Sequence, residues 1–133
     1  TKKSRIYPCL PEYFNSQGRG MYSYLTGSAS WFILTLITQA FGVRGENGDL
    51  LVEPKLTLEQ FGKQPTISIN RPFAGVKIQV NISNPKRLAY GKYRLAKASL
   101  NSRPLPAVDA RRILIKRKAL LRKPLNIINI LLS

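Results

Sequence analysis

The chain of 133 residues contains no histidine. A Ser-His-Asp triad, a Cys-His pair and any histidine-ligated metal centre are therefore excluded within it. Its single cysteine, Cys9, permits neither an internal disulfide nor a cysteine-rich zinc site. No base can be named to activate that thiol, so Cys9 is expected to be a buried or loop thiol, and the scarcity of cysteine fits a reducing, cytoplasmic location. Acids are also scarce: six Asp and Glu face 22 Lys and Arg, a formal charge of +16. Long apolar runs are missing too. The most apolar stretch, 24–42, is interrupted by Ser28, Ser30, Thr35, Thr38 and Gln39, whereas a membrane span needs about 20 predominantly apolar residues, so none is expected. The opening TKKSRIYPCLPEYF has charges but no apolar core of a secretory leader. A chain that starts in mid-pattern is expected to be a piece of something longer.

What is present suffices for a folded chain. The hydrophobic fraction is 44%, enough for one ordinary core, and nine Gly with nine Pro favour turns and β structure over a helical bundle. Residues 1–20, with Pro8, Pro11, Gly18 and Gly20, predict an irregular loop. In YLTGSASWFILTLITQAFG, residues 24–42, Thr26 or Ser28 can cap a helix and Gly42 can stop it. That helix is apolar on most faces, which predicts burial on most faces, with part of its cover from elsewhere in a longer chain. Trp31 is accordingly expected in a core, although Trp31 and Tyr24 are also candidates for stacking on a sugar.

After Gly45 the period changes. Asn47-Gly48 predicts a turn and 50–53 a short strand; PTISIN alternates, and Val76, Ile78, Val80 and Ile82 alternate with Lys77, Gln79, Asn81 and Ser83. YGKYRLAKASL is a further strand candidate, with NSRPLP a turn after it. RRILIKRKALLRKP is either a basic helix or a strand at Ile113–Ile115 followed by one helical turn, and LNIINILLS is a final strand. The fold class expected is α+β: one buried helix, then an antiparallel β-sandwich over 46–133.

The positive charge is concentrated in 86–123, where thirteen Lys and Arg face only Asp109. With Tyr90, Tyr93 and Arg94 interleaved, this keeps open a small nucleic-acid- or anion-binding module as the alternative function. Aromatics are sparse after Tyr93, however, and no recognised nucleic-acid motif is present. If 110–123 is helical, an anionic membrane surface is another partner for it.

The stretch with most chemistry is LTGSAS. Thr26 and Ser28 offer hydroxyls, Gly27 leaves its amide open to close approach, and all lie where a helix begins and its free N–H groups favour an anion. On the residues alone, Thr26-Gly27 is either a phosphate contact or a helix cap with a packing glycine.

The longer segment PEYFNSQGRGMYSYLTGSASW, followed by FGVRG, resembles glycoside hydrolase family 94, the cellobiose phosphorylase-like enzymes. It is most similar to the branch of β-1,2-oligoglucan phosphorylases and cyclic β-1,2-glucan synthases. The resemblance is specific over 7–45 and looser to about residue 100. It implies that 1–45 is the end of a catalytic α/α barrel, a loop plus its last helix, and that 46–133 is the C-terminal β-sandwich. It implies an inverting phosphorylase of β-linked gluco-oligosaccharides, with inorganic phosphate as co-substrate and no cofactor or metal. The partners implied are the upstream barrel and N-terminal domains of the parent chain; a homodimer is compatible with it. Thr26 and Gly27 fall on the family's phosphate-contacting pair. Glu12 stands where the disaccharide enzymes carry a phosphate-contacting Gln. A carboxylate repels phosphate unless protonated or turned away, so Glu12 either binds a sugar hydroxyl or belongs to a differently arranged site. Arg19 is a further phosphate candidate by charge. The general acid of such enzymes is an Asp of the central barrel, and none of the six acids here lies in its motif, so the resemblance implies no catalytic residue in this chain and no activity of the chain alone.

Overall fold

The computed structural model describes residues 5, 10–22, 27–120 and 123–133. The chain forms an α+β fold and divides into two compact units, residues 1–36 and 37–133.

In the first unit, Tyr13–Phe14 (β1) pairs antiparallel with Gly20–Met21 (β2) around a turn. The turn is closed by Asn15, whose Oδ1 accepts from the backbone N–H groups of Gln17 and Arg19 at 3.0 and 2.9 Å, the local bonding that suits Asn to turns. Helix α1 runs Gly27–Thr35, and a π-helix at Leu36–Ala40 follows it in the chain, most of it belonging to the second unit. The expected helix is thus present, but none of its residues is buried in this chain. Trp31 is 70% exposed and Ile33 57%, so the expectation that Trp31 is core is not met here. The physical reason lies in the sequence. Apolar side chains face every side of α1, so no single packing surface could cover it.

The second unit carries two sheets. Val43–Glu46 (β3), Asp49–Val52 (β4) and Ile113–Ile115 (β9) form one, in the order β3-β4-β9. Thr66–Phe73 (β5), Val76–Ser83 (β6), Leu95–Leu100 (β7), Arg103–Pro104 (β8) and Leu125–Leu132 (β10) form the other, in the order β5-β6-β10-β7-β8. Two short helices, α2 (Leu58–Phe61) and α3 (Arg117–Leu120), sit in the connections. The second alternative for 110–123, a strand and one helical turn, is the one found. Pro104 is accommodated because β8 is an edge strand.

The larger sheet is not wholly antiparallel as expected: β10 pairs parallel with β6, Leu125 opposite Lys77 through Leu131 opposite Ser83. A parallel pair needs a long crossover, and the segment holding β7, β8, β9 and α3 supplies it. Ile78, Val80 and Ile82 of β6 are at most 1% exposed, as their alternation predicts. They join Ile128, Ile130 and Leu132 of β10 and Leu50, Val52, Ile113 and Ile115 of the small sheet in one core. Tyr93 enters this core with its hydroxyl donating to the carbonyls of Pro54 and Leu56 at 3.2 and 3.1 Å, and burial pushes its phenol up to about 12.

Beside the small sheet, Arg44 Nη2 lies 2.6 Å from Glu53 Oε2, and Lys55 Nζ lies 3.6 Å from the same oxygen. The hydrogen bond from Arg44 is the chief reason the Glu53 carboxyl lies below its ordinary 4.5. A carboxyl lowered by folding stabilises the folded state above its unfolded value and loses that contribution as pH falls through the folded one. Thermal stability is therefore expected to fall as pH drops below about 4.5, and Glu53→Gln should remove part of that slope. Melting curves of both proteins across the acid range test this, and an unchanged slope would remove Glu53 from the account.

Candidate functional site

The amino end of α1 is the site to which the sequence points, and it is built from the first unit alone. Thr26 lies outside the described residues, as do Tyr24 and Cys9. Gly27 is exposed and opens the helix. The next amide, of Ser28, donates to Glu12 Oε1 at 2.6 Å, and Ser28 Oγ donates to the Leu10 carbonyl at 3.2 Å. The Glu12 carboxylate therefore occupies the position in which an anion is stabilised by free helix N–H groups. The glycine eases this approach: a Cβ on Gly27 would stand 3.1 and 3.2 Å from the two carboxylate oxygens, which would have to shift by a few tenths of an ångström.

Two of the residues singled out from sequence, Glu12 and Gly27, are thus brought together, with the carboxylate bonded to the neighbouring Ser28 amide. Glu12 turns toward the helix and serves as its anion. A mobile phosphate and the fixed carboxylate would compete for the same amides, since two anions within about 4 Å repel strongly outside bulk water. The clue was available in the sequence, because an acidic side chain is the usual companion of a helix amino end. The separation of 16 residues concealed it.

Arg19 is exposed and sits in the β1–β2 hairpin, where a shallow cleft of about 420 Å³ is lined by Asn15, Arg19, Gly20, Met21 and Tyr22. Its backbone is fixed by Asn15, and no described residue forms an ion pair with its guanidinium. Tyr13 and Tyr22 meet edge to face with centroids 5.9 Å apart, which stiffens this hairpin. Among the described residues no helix is long and apolar enough to cross a membrane, and no three Asp, Glu or Cys side chains are grouped to hold a metal ion. The chain matches no family model and no curated protein.

Proposed function

We propose that this chain is the C-terminal part of an inverting glycoside phosphorylase acting on β-linked gluco-oligosaccharides. In this reading residues 1–45 are the last barrel helix and its approach loop, and 46–133 form a β-sandwich that stabilises the barrel. The reading rests on the resemblance over 7–45, and one observation supports it best. The Ser28 amide at the start of α1 already holds an anion, the Glu12 carboxylate, at 2.6 Å. An amino end that accepts a carboxylate has the donors that inorganic phosphate requires. The exposed apolar faces of α1 accord with a helix whose cover is a surrounding barrel.

The chemistry follows from the class of reaction. Phosphate is already an anion and needs no base, so Thr26 and Gly27 would only position it, while a general acid upstream protonates the leaving oxygen and the anomeric centre inverts. Glu12 then acts as the occupant of the phosphate position in the unfilled site. Removing its charge should open that position. In residue-resolved NMR titrations with inorganic phosphate, Glu12→Gln is expected to bind at the Gly27 and Ser28 amides about tenfold more tightly than the parent chain. Amides that stay unmoved in both proteins would overturn the phosphate role. The chain alone should release no glucose 1-phosphate from β-1,2-linked oligoglucans and phosphate, and clear product would contradict an upstream acid.

A further inference from the structure

The strongest feature outside the α1 site lies in the second unit, where the β7–β8 hairpin comes near Ala119 of α3 and Lys123. Asn101 and Ser102 form the hairpin turn, with Leu100 paired to Arg103 across it, and both have positive φ, 49° and 68°. A two-residue hairpin turn demands that conformation, yet serine is not a residue that favours it. Asn101 holds the turn through three hydrogen bonds. Its N–H donates to the Ile127 carbonyl at 2.8 Å, its Oδ1 accepts from Ile127 N–H at 2.9 Å, and its Nδ2 donates to Asn126 Oδ1 at 2.9 Å.

Asn126 is fully buried on a strand whose other inward residues are Ile128, Ile130 and Leu132. An isoleucine there would continue the pattern without desolvating an amide. The amide does what an isoleucine could not. Its Nδ2 donates to the carbonyls of Leu120 and Lys123 at 2.9 and 3.1 Å, so one buried side chain fastens the hairpin turn to Leu120 at the end of α3 and to Lys123. The β7–β8 hairpin, Ala119 of α3 and Lys123 are the walls of a cleft of about 340 Å³. Leu100, Leu105 and Ala119 give it an apolar lining, and Arg103 and Lys123 supply its charge. No acid lines it. Of the acids on the same unit, Asp49 is held by Lys116 and the Arg117 N–H, and Asp109 by Arg112. Neither Arg103 nor Lys123 has an ion-pair partner among the described residues.

We propose that this cleft is an anion-binding site that takes a phosphate group between Arg103 and Lys123, with a small apolar portion of the ligand against Leu105 and Ala119. The forked guanidinium suits phosphate oxygens and the ammonium adds a second point charge. The Asn101–Asn126 network holds both walls before the ligand arrives, which reduces the ordering needed on binding. The site stands apart from the phosphorylase reading, since it uses no residue before Leu100.

The test is a residue-resolved NMR titration of the whole chain, at low salt, with three probes: inorganic phosphate, adenosine monophosphate and a short single-stranded oligonucleotide. Saturable shifts are expected at Asn101, Ser102, Ala119 and Lys123. Arg103→Ala and Lys123→Ala should each weaken binding about tenfold, while Lys86→Ala, outside the cleft, leaves it unchanged. If the monophosphate binds at least as well as the oligonucleotide, the phosphate belongs to a small ligand; if only the oligonucleotide binds, it belongs to a polymer backbone. Absence of saturable shifts with all three probes, or an equal loss in Lys86→Ala, overturns the site. Because the Gly27 and Ser28 amides report separately, failure here and failure of the phosphorylase reading are distinct results.

Discussion

Gly42→Ala is expected to cost more than about 4 kcal/mol of folding stability, a large share of the 5–15 kcal/mol that a small domain has. Gly42 has φ +67°, a left-handed conformation that a side chain tolerates poorly. The larger penalty comes from position. Glu53 N–H donates to the Gly42 carbonyl at 3.0 Å, and a Cβ on Gly42 would overlap the Glu53 carbonyl. That obstacle is backbone and cannot rotate aside. Relief requires β3 and β4 to part next to Val43 and Val52, paired residues that are both 0% exposed. Gly48→Ala provides the comparison. It has φ +83° but open space around its Cβ, so only the conformational cost applies, about 1–2 kcal/mol. Denaturant melts of the two variants separate collision from strain: similar midpoints would show that the β3–β4 junction yields more easily than its geometry indicates.

Gly42 also shows how the sequence reports the fold. A glycine closing an apolar helical run is a recognisable stop, and it was legible as one. Its second duty, letting β4 pass close by, depends on a partner eleven residues away and could not be read locally. The same division recurs along the chain. Ile78, Val80 and Ile82 announce their strand and its inward face because the period of two is a local property. The partner of that strand is not local. Nothing in LNIINILLS reveals that it lies parallel to β6 across a crossover of some forty residues (Ser83 to Leu125), so a wholly antiparallel sheet was the simpler expectation. Val43–Glu46 carries no local strand signal, because Gly45 and Glu46 interrupt any alternation and the strand is defined by its hairpin with β4.

The candidate site was legible in its parts and not in its arrangement. Gly27 and Ser28 mark a helix start, and Glu12 stands out as one of only six acids. Sequence chemistry treats a carboxylate near a phosphate position as a conflict. The structure shows the carboxylate itself in the anion's place, a result that depends on how the loop folds back. The apolar faces of α1 were legible as a demand for cover, and none of the described α1 residues is buried. The cleft at Arg103 and Lys123 had no sequence signature at all. Its two cations belong to a run of thirteen over 86–123, and only the tertiary fold brings Arg103 and Lys123 to one opening.

Asn126→Ala is expected to destabilise the chain by about 3 kcal/mol and to weaken phosphate binding in the cleft although both cations remain. The residue is 0% exposed, and its side chain satisfies the Asn101 amide and the carbonyls of Leu120 and Lys123. Alanine removes all three partners. A buried polar group left unsatisfied costs about 1–3 kcal/mol, with the wetter Asn101 and Lys123 groups toward the low end. Asn129→Ala on the same strand is the control. Asn129 is exposed and accepts one hydrogen bond from Asn81 at 2.8 Å, so its loss should stay within about 0.5 kcal/mol. Equilibrium unfolding in urea measures both effects, with an unchanged m-value showing that the difference lies in stability. If Asn126→Ala loses stability yet binds phosphate as the parent chain does, the amide supports the fold without organising the cleft. If it loses neither, the Asn126 amide holds neither the hairpin turn nor the cleft. A parallel loss of stability and affinity, with Arg103 and Lys123 untouched, would mean that one buried amide positions both charges.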